Sequence, residues 1–110
     1  EHAGDGTLRY QGGELPIERD LETRALALGE KACAAVPGLR GFVGIDLILG
    51  KTRDHDRVVE INPRPTVSFV ALRALAQCPL TAMMLDRNTV PAWGDETLRF
   101  DAAGEMGSAP

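Results

Sequence analysis

Two short apolar stretches carry polar groups that could do chemistry. Residues 42–49 hold Asp46, and residues 57–62 hold Glu60 and Asn62. Extended backbone points successive side chains to opposite faces. Val43, Ile45, Leu47 and Leu49 then share an apolar face with Val59 and Ile61 of the second stretch. Asp46, Glu60 and Asn62 share the other face, with Gly44 expected to leave open space beside them. Pairing around the polar loop 50–56 brings Asp46 opposite or diagonal to Glu60. Opposed residues on neighbouring strands have Cβ atoms about 4.5–5.5 Å apart. Two carboxylates that close repel, and a proton or a cation relieves them. With the amide oxygen of Asn62 they form a set of hard oxygen ligands. Such a set suits Mg²⁺, or Mn²⁺ in its place, shared with substrate phosphates.

Arg64 extends the constellation. Asn62 and Arg64 each precede a proline, which disfavours helical backbone at both. Continued extension puts Arg64 on the side of Glu60 and Asn62. A guanidinium beside Mg²⁺ stabilises a transferring phosphoryl group. A helix starting near Thr66 would favour an anion at its first turn. Two acids on the outer face of a hairpin are ordinarily only a solvated face. The asparagine on the same face and the stiff Asn62-Pro63-Arg64-Pro65 continuation set this pair apart.

The elements that must position these groups follow from periodicity. A strand is expected over 7–11, with Leu8 and Tyr10 on one face, then a turn at Gly12-Gly13. Leu21, Ala25, Leu28, Ala32 and Ala35 recur at helical spacing and predict a packing helix over 18–36. Glu18, Arg19, Glu22, Arg24, Glu30 and Lys31 are assigned to its polar side, and Pro37-Gly38 stops it. The two acid-bearing strands read as an antiparallel pair. A second helix is predicted over 67–77, with Phe69, Leu72, Leu75 and Ala76 on one face and Thr66 or Ser68 as N-cap. A short helix over 80–85, a loop over 87–96 and a strand over 97–101 follow, the last with Leu98 and Phe100 on one face. The fold class is α+β, an antiparallel sheet with both long helices packed on its apolar face. Residues 1–103 make one domain, and 104–110 are expected to be a flexible tail. An open outer face carrying Phe42 and Ile48 would favour self-association into a homodimer.

The chain has 110 residues, 44% of them hydrophobic, and a formal net charge of −4. That suits one domain with its own core, and leaves little room for a complete nucleotide-dependent enzyme. The acidity argues against a nucleic-acid or anionic-membrane partner. No apolar run approaches the ~20 residues of a membrane span, and no secretory leader is expected, so a cytoplasmic protein is expected. Cys33 and Cys78 are isolated and read as reduced thiols. His2 and His55 read as exposed.

The central segment resembles a known family. Gly41-Phe42-Val43-Gly44-Ile45-Asp46-Leu47, a loop, then Val59-Glu60-Ile61-Asn62-Pro63-Arg64-Pro65-Thr66 is similar to the C-terminal part of the ATP-grasp superfamily. Within it, the pattern is most similar to carboxylate–amine ligases of the tyramine–glutamate ligase-like group. Tyr10-Gln11-Gly12-Gly13 with Pro16, and the run from Thr66 to Arg73, resemble the same group. The resemblance covers residues 7–86. It implies ATP bound between two α+β subdomains, with Asp46, Glu60 and Asn62 holding Mg²⁺ against its phosphates. It also implies that Arg64 contacts phosphate or an acyl phosphate. The implied reaction is phosphorylation of a small carboxylate, then attack by an amine to give an amide, ADP and phosphate.

The resemblance also implies what this stretch omits. The family's nucleotide-binding lysines, its phosphate-covering loop and its substrate subdomain lie N-terminal to these motifs. The lysines here are Lys31, in a helical stretch, and Lys51, in a polar loop. The expected partner is therefore the N-terminal half of the same enzyme. Two other readings compete: a non-catalytic ATP-grasp-like assembly or interaction module, and a free-standing metal-binding domain.

Overall fold

A computed structural model describes residues 4–86 and 88–108, with Ser108 described for its backbone alone. His2 and Arg87 lie outside the described residues. The elements run β1 (Gly12–Leu15), α1 (Arg19–Ala34), β2 (Gly44–Ile48), a 3-10 turn (Arg53–His55), β3 (Arg57–Asn62), α2 (Ser68–Leu75), α3 (Leu80–Leu85), β4 (Leu98–Asp101) and β5 (Met106–Ser108). The class is α+β, as expected. The strands form two antiparallel sheets rather than one: β1-β4-β5 and the pair β2-β3. Each has its own helix. α1 packs on β2 and β3, while α2 packs against β4.

α1 forms where the alanine–leucine periodicity predicts it, two residues shorter at its C-terminal end. Asp20 and Glu22 lie in its first turn and Lys31 in its last, so all three oppose the helix dipole favourably. One member of its expected polar face is misplaced. Arg24 is buried, at 7% exposure. It stands three residues after Leu21 and four before Leu28, and so lies within the apolar stripe.

Gly12 and Gly13 open β1 instead of making a turn. Gly12 has φ 118°, and a Cβ there would sit 1.8 Å from the Phe100 carbonyl oxygen of the paired strand. A Cβ on Gly13 would lie 2.6 Å from the Phe100 ring. The two glycines let β1 close on β4 and let buried Phe100 lie over the strand. Leu8 and Tyr10, expected in a strand, are exposed outside it.

The segment after Asp101 is a hairpin, in place of the expected tail. The Asp101 carboxylate accepts hydrogen bonds from the backbone N–H of Ala103 (2.8 Å) and Glu105 (2.9 Å). Gly104, at φ 81°, turns the chain, and β5 pairs with β4. The signal was local: an acid two residues before the turn, then a glycine. Ala109 and Pro110 lie outside the described residues.

α2 is shorter than 67–77, because Ala76 leaves the helix to bridge Trp93. Neither Thr66 nor Ser68 caps it. Val67 holds the cap position with helical backbone, and no side chain bonds the first N–H groups. The Thr66 backbone carbonyl accepts from Phe69 N–H instead (2.9 Å). The core of the described residues is small: Ala32, Ala71, Leu75, Leu80 and Phe100. Phe42 is not on an open face. It meets Phe69 edge to face, with ring centroids 5.2 Å apart. Ile48 is 60% exposed. No described helix is long and apolar enough to cross a membrane.

Candidate metal and phosphate site

The β2–β3 pair carries the site. Its register places Ile45 opposite Ile61, Asp46 opposite Glu60, and Gly44 opposite Asn62. The expected facing of the two acids is thus realised. Both carboxylate residues are exposed, while Asn62 is buried at 6% exposure. The Asn62 side-chain N–H donates to Asp46 Oδ2 at 3.4 Å, a long bond that leaves the Asn62 amide oxygen uncommitted.

Strand alternation does not run unbroken. A bulge follows the Asp46–Glu60 pair: Leu47 lies opposite Val58, so Val59 is the extra residue. Val59, expected in the apolar core face, is 60% exposed. Nor is the space beside Gly44 open. A Cβ on Gly44 would lie 2.5 Å from the Thr66 methyl group, so Thr66 packs directly onto that glycine. The Thr66 hydroxyl in turn hydrogen-bonds the Ser68 hydroxyl at 2.9 Å.

The chain bends at Pro63 rather than continuing straight. Arg64 N–H donates to the Asn62 carbonyl at 2.7 Å, closing a three-residue turn. Arg64 nevertheless reaches the same side. Tyr10, Asp46, Glu60, Asn62, Arg64, Thr66, Val67 and Ser68 line one open cleft of about 330 Å³. Spacing did not reveal Tyr10 as a cleft residue; the segment leading into β1 brings it in, and the turn after Pro65 brings in Thr66 and Ser68.

The donor set fits a hard divalent cation: two facing carboxylates and an amide oxygen. It falls short of a closed cage. Among the described residues no three His, Cys, Asp or Glu side chains gather at one point. Such an open set leaves coordination positions for water or phosphate, as Mg²⁺ prefers. Among the described residues the Arg64 guanidinium hydrogen-bonds only the Pro65 carbonyl, at 3.3 Å, which leaves most of its donors for an anion. Neither lysine lines the cleft.

The loop 50–56 is anchored rather than merely solvated. Arg24 of α1 donates from Nε to Asp56 Oδ2 at 3.1 Å and pairs through Nη2 with Asp56 Oδ1. The same Nη2 reaches the Gly50 carbonyl at 2.7 Å, and Gly50 N–H donates to Asp56 Oδ1 at 3.0 Å. The Arg24 hydrogen bond holds the Asp56 carboxyl below its usual range, against burial, with Gly50 N–H and the Arg24 and Arg53 charges assisting. Arg24 is correspondingly raised, first by its bond to Asp56. His55, exposed as expected, shares a 2.8 Å hydrogen bond with the Thr52 hydroxyl. Cys33 and Cys78 are free thiols.

The chain is also similar in sequence to known proteins. The model of the ATP-grasp domain family matches residues 1–68. The chain is 32% identical over 96 residues to tyramine–L-glutamate ligase of Methanocaldococcus jannaschii, covering 87% of this chain and 28% of that protein. It is 31% identical over 96 residues to the ligase of the same name from Methanocaldococcus fervens, covering 87% of this chain and 30% of that one. The chain thus spans less than a third of the length of these relatives. No solved structure gives a significant match.

Proposed function

Because the chain belongs to the ATP-grasp family, we propose that it forms the Mg-ATP-binding C-terminal part of an ATP-dependent carboxylate–amine ligase. The observation that supports this most is the facing of Asp46 and Glu60 beside buried Asn62, in a cleft that Arg64 also lines. Asp46, Glu60 and Asn62 would hold the divalent metal. When bound, the metal offsets the charge on the ATP phosphates. Arg64 would bind and orient phosphate oxygens, and later the acyl phosphate. Thr66 and Ser68 line the same cleft, and whichever hydroxyl accepts in their mutual hydrogen bond can donate to an anion there.

The reaction that fits is transfer of the γ-phosphoryl group of ATP to a carboxylate oxygen, giving an acyl phosphate and ADP. An amine then attacks the acyl carbon, the C–O bond to phosphate breaks, and an amide and phosphate leave. The relatives' names point to an amino acid and a small amine as the class of substrates. No lysine stands in the cleft to reach the nucleotide phosphates. The N-terminal half of the enzyme would supply those groups and the substrate contacts.

The test is twofold. The chain should bind Mn²⁺, and more tightly with ATP present. The intact protein that contains it should form an amide from a carboxylate and an amine with ATP and Mg²⁺. Absence of any Mn²⁺ affinity, with or without ATP, would leave instead a non-catalytic module of the same fold.

A further inference from the structure

The clamp on loop 50–56 and the bulge at Val59 are one device. Asp56, Val58 and Glu60 are two residues apart and would share a face in a regular strand. They do not. Glu60 lines the cleft, whereas Asp56 reaches Arg24 of α1, which packs on β2 and β3. The extra residue at Val59 changes the parity between them. On the cleft side of the bulge Asp46 pairs with Glu60; on the loop side Leu47 pairs with Val58 and Ile48 with Arg57. Without the bulge, Asp56 would point to Glu60's face and away from Arg24. With the bulge, the strand parity carried on to Asp56 matches the side on which Arg24 stands.

We propose that Arg24 is a positioning residue for the carboxylate pair: acting through Asp56 and Gly50, it holds the bulge beside Glu60 and so fixes how Glu60 stands to Asp46. Bulges increase local twist and re-aim neighbouring side chains. This one falls immediately after the Asp46–Glu60 pair. Arginine suits the task because its planar fork bonds both Asp56 oxygens and the Gly50 carbonyl at once, which an ammonium cannot do in that geometry. The consequence for metal binding rests on the function proposed above; the consequence for register does not.

The test uses Asp56→Asn and Arg24→Lys in the 110-residue chain, with Glu14→Gln as a control at the exposed Arg99–Glu14 pair. Cross-strand proton contacts in NMR spectra report the register, and Mn²⁺ titration followed by electron paramagnetic resonance reports the site. In both clamp variants the Leu47 contact should move from Val58 to Val59, and Mn²⁺ affinity should fall about tenfold, as for lost outer-shell support. Glu14→Gln should change neither. Arg24→Lys keeps the buried charge, so it supplies the answer if Asp56→Asn does not fold. Persistence of the Leu47–Val58 contact in the folded variants would overturn the clamp. A changed register with unaltered Mn²⁺ affinity would overturn the positioning role. Absence of Mn²⁺ binding by the unaltered chain would refute the proposed site, and with it the positioning role, while the register contacts still judge the clamp.

Discussion

Asp46 stands directly opposite Glu60 across the β2–β3 pair, with the Asn62 amide reaching Asp46 from the same cleft. Like charges placed opposite one another on a sheet are destabilising without a counter-ion, and the loss is of order 0.2–1 kcal/mol. Glu60→Gln should therefore have effects of opposite sign in two states. Without metal the chain should melt slightly higher than the unaltered one. With Mn²⁺ the order should reverse, because the variant loses a ligand. Turnover of the intact enzyme should drop by at least a hundredfold. Calorimetric melting with and without Mn²⁺ checks the first two outcomes. Equal melting shifts in both conditions would rule out metal binding at this pair.

Gly44 has a packing role rather than an open one. Thr66 Cγ2 lies 2.5 Å from where a Cβ at Gly44 would stand, so Gly44→Ala must push Thr66 aside. The move breaks the Thr66–Ser68 hydroxyl contact. Overpacking of this kind costs about 1–3 kcal/mol, and the low end is expected because a short side chain can rotate. The melting temperature should fall, and ATP affinity of the intact enzyme should fall with it. Gly44→Ala combined with Thr66→Ser, which removes the offending methyl, should recover most of the stability.

The acid pair was legible because alternation is a local property, and pairing around the polar loop put Asp46 opposite or diagonal to Glu60. The bulge was not legible. The contact we propose holds it, between Asp56 and Arg24, spans 32 residues, which no local pattern records. Arg24 still left a trace: a charged residue inside the apolar stripe of α1, where a buried partner is required. Gly12-Gly13 misled for a related reason. Glycine marks both turns and close backbone approach, and only the position of Phe100 decides between them. Division into two sheets depends on which strand meets β1, a long-range choice that places Leu98 opposite Leu15.

Acid should release the clamp in a defined window. The Asp56 carboxyl is held below its usual value of 3.8, first by the hydrogen bond from Arg24. A depressed folded-state pKa means the stabilisation is fully present above the unfolded value. It is lost as pH falls through the folded one. The unaltered chain should thus keep its Leu47–Val58 contact at pH 5 and lose it only well below pH 4. Asp56→Asn should show no such step in that range. Asp5 is also depressed, by its Thr7 hydrogen bonds, but it is exposed in the N-terminal segment. Register contacts measured during acid titration separate the two acids, since Asp5 lies far from β2 and β3 in sequence and shares no bond with them.

Gly12 offers a test of the second sheet that leaves the proposed metal ligands untouched. Its φ of 118° is one that L side chains rarely adopt, and an added Cβ would meet the Phe100 carbonyl oxygen at 1.8 Å. Backbone cannot yield there without opening the β1–β4 pairing at Gly12–Asp101. Gly12→Ala should cost at least about 2 kcal/mol, from strain and overpacking together. Amide hydrogen exchange should rise in β1, β4 and β5 while β2 and β3 keep their protection. Mn²⁺ affinity should stay within twofold of the unaltered chain, because Asp46, Glu60 and Asn62 belong to the other sheet. Loss of protection in β2 and β3 as well would show that the two sheets fold as a single cooperative unit.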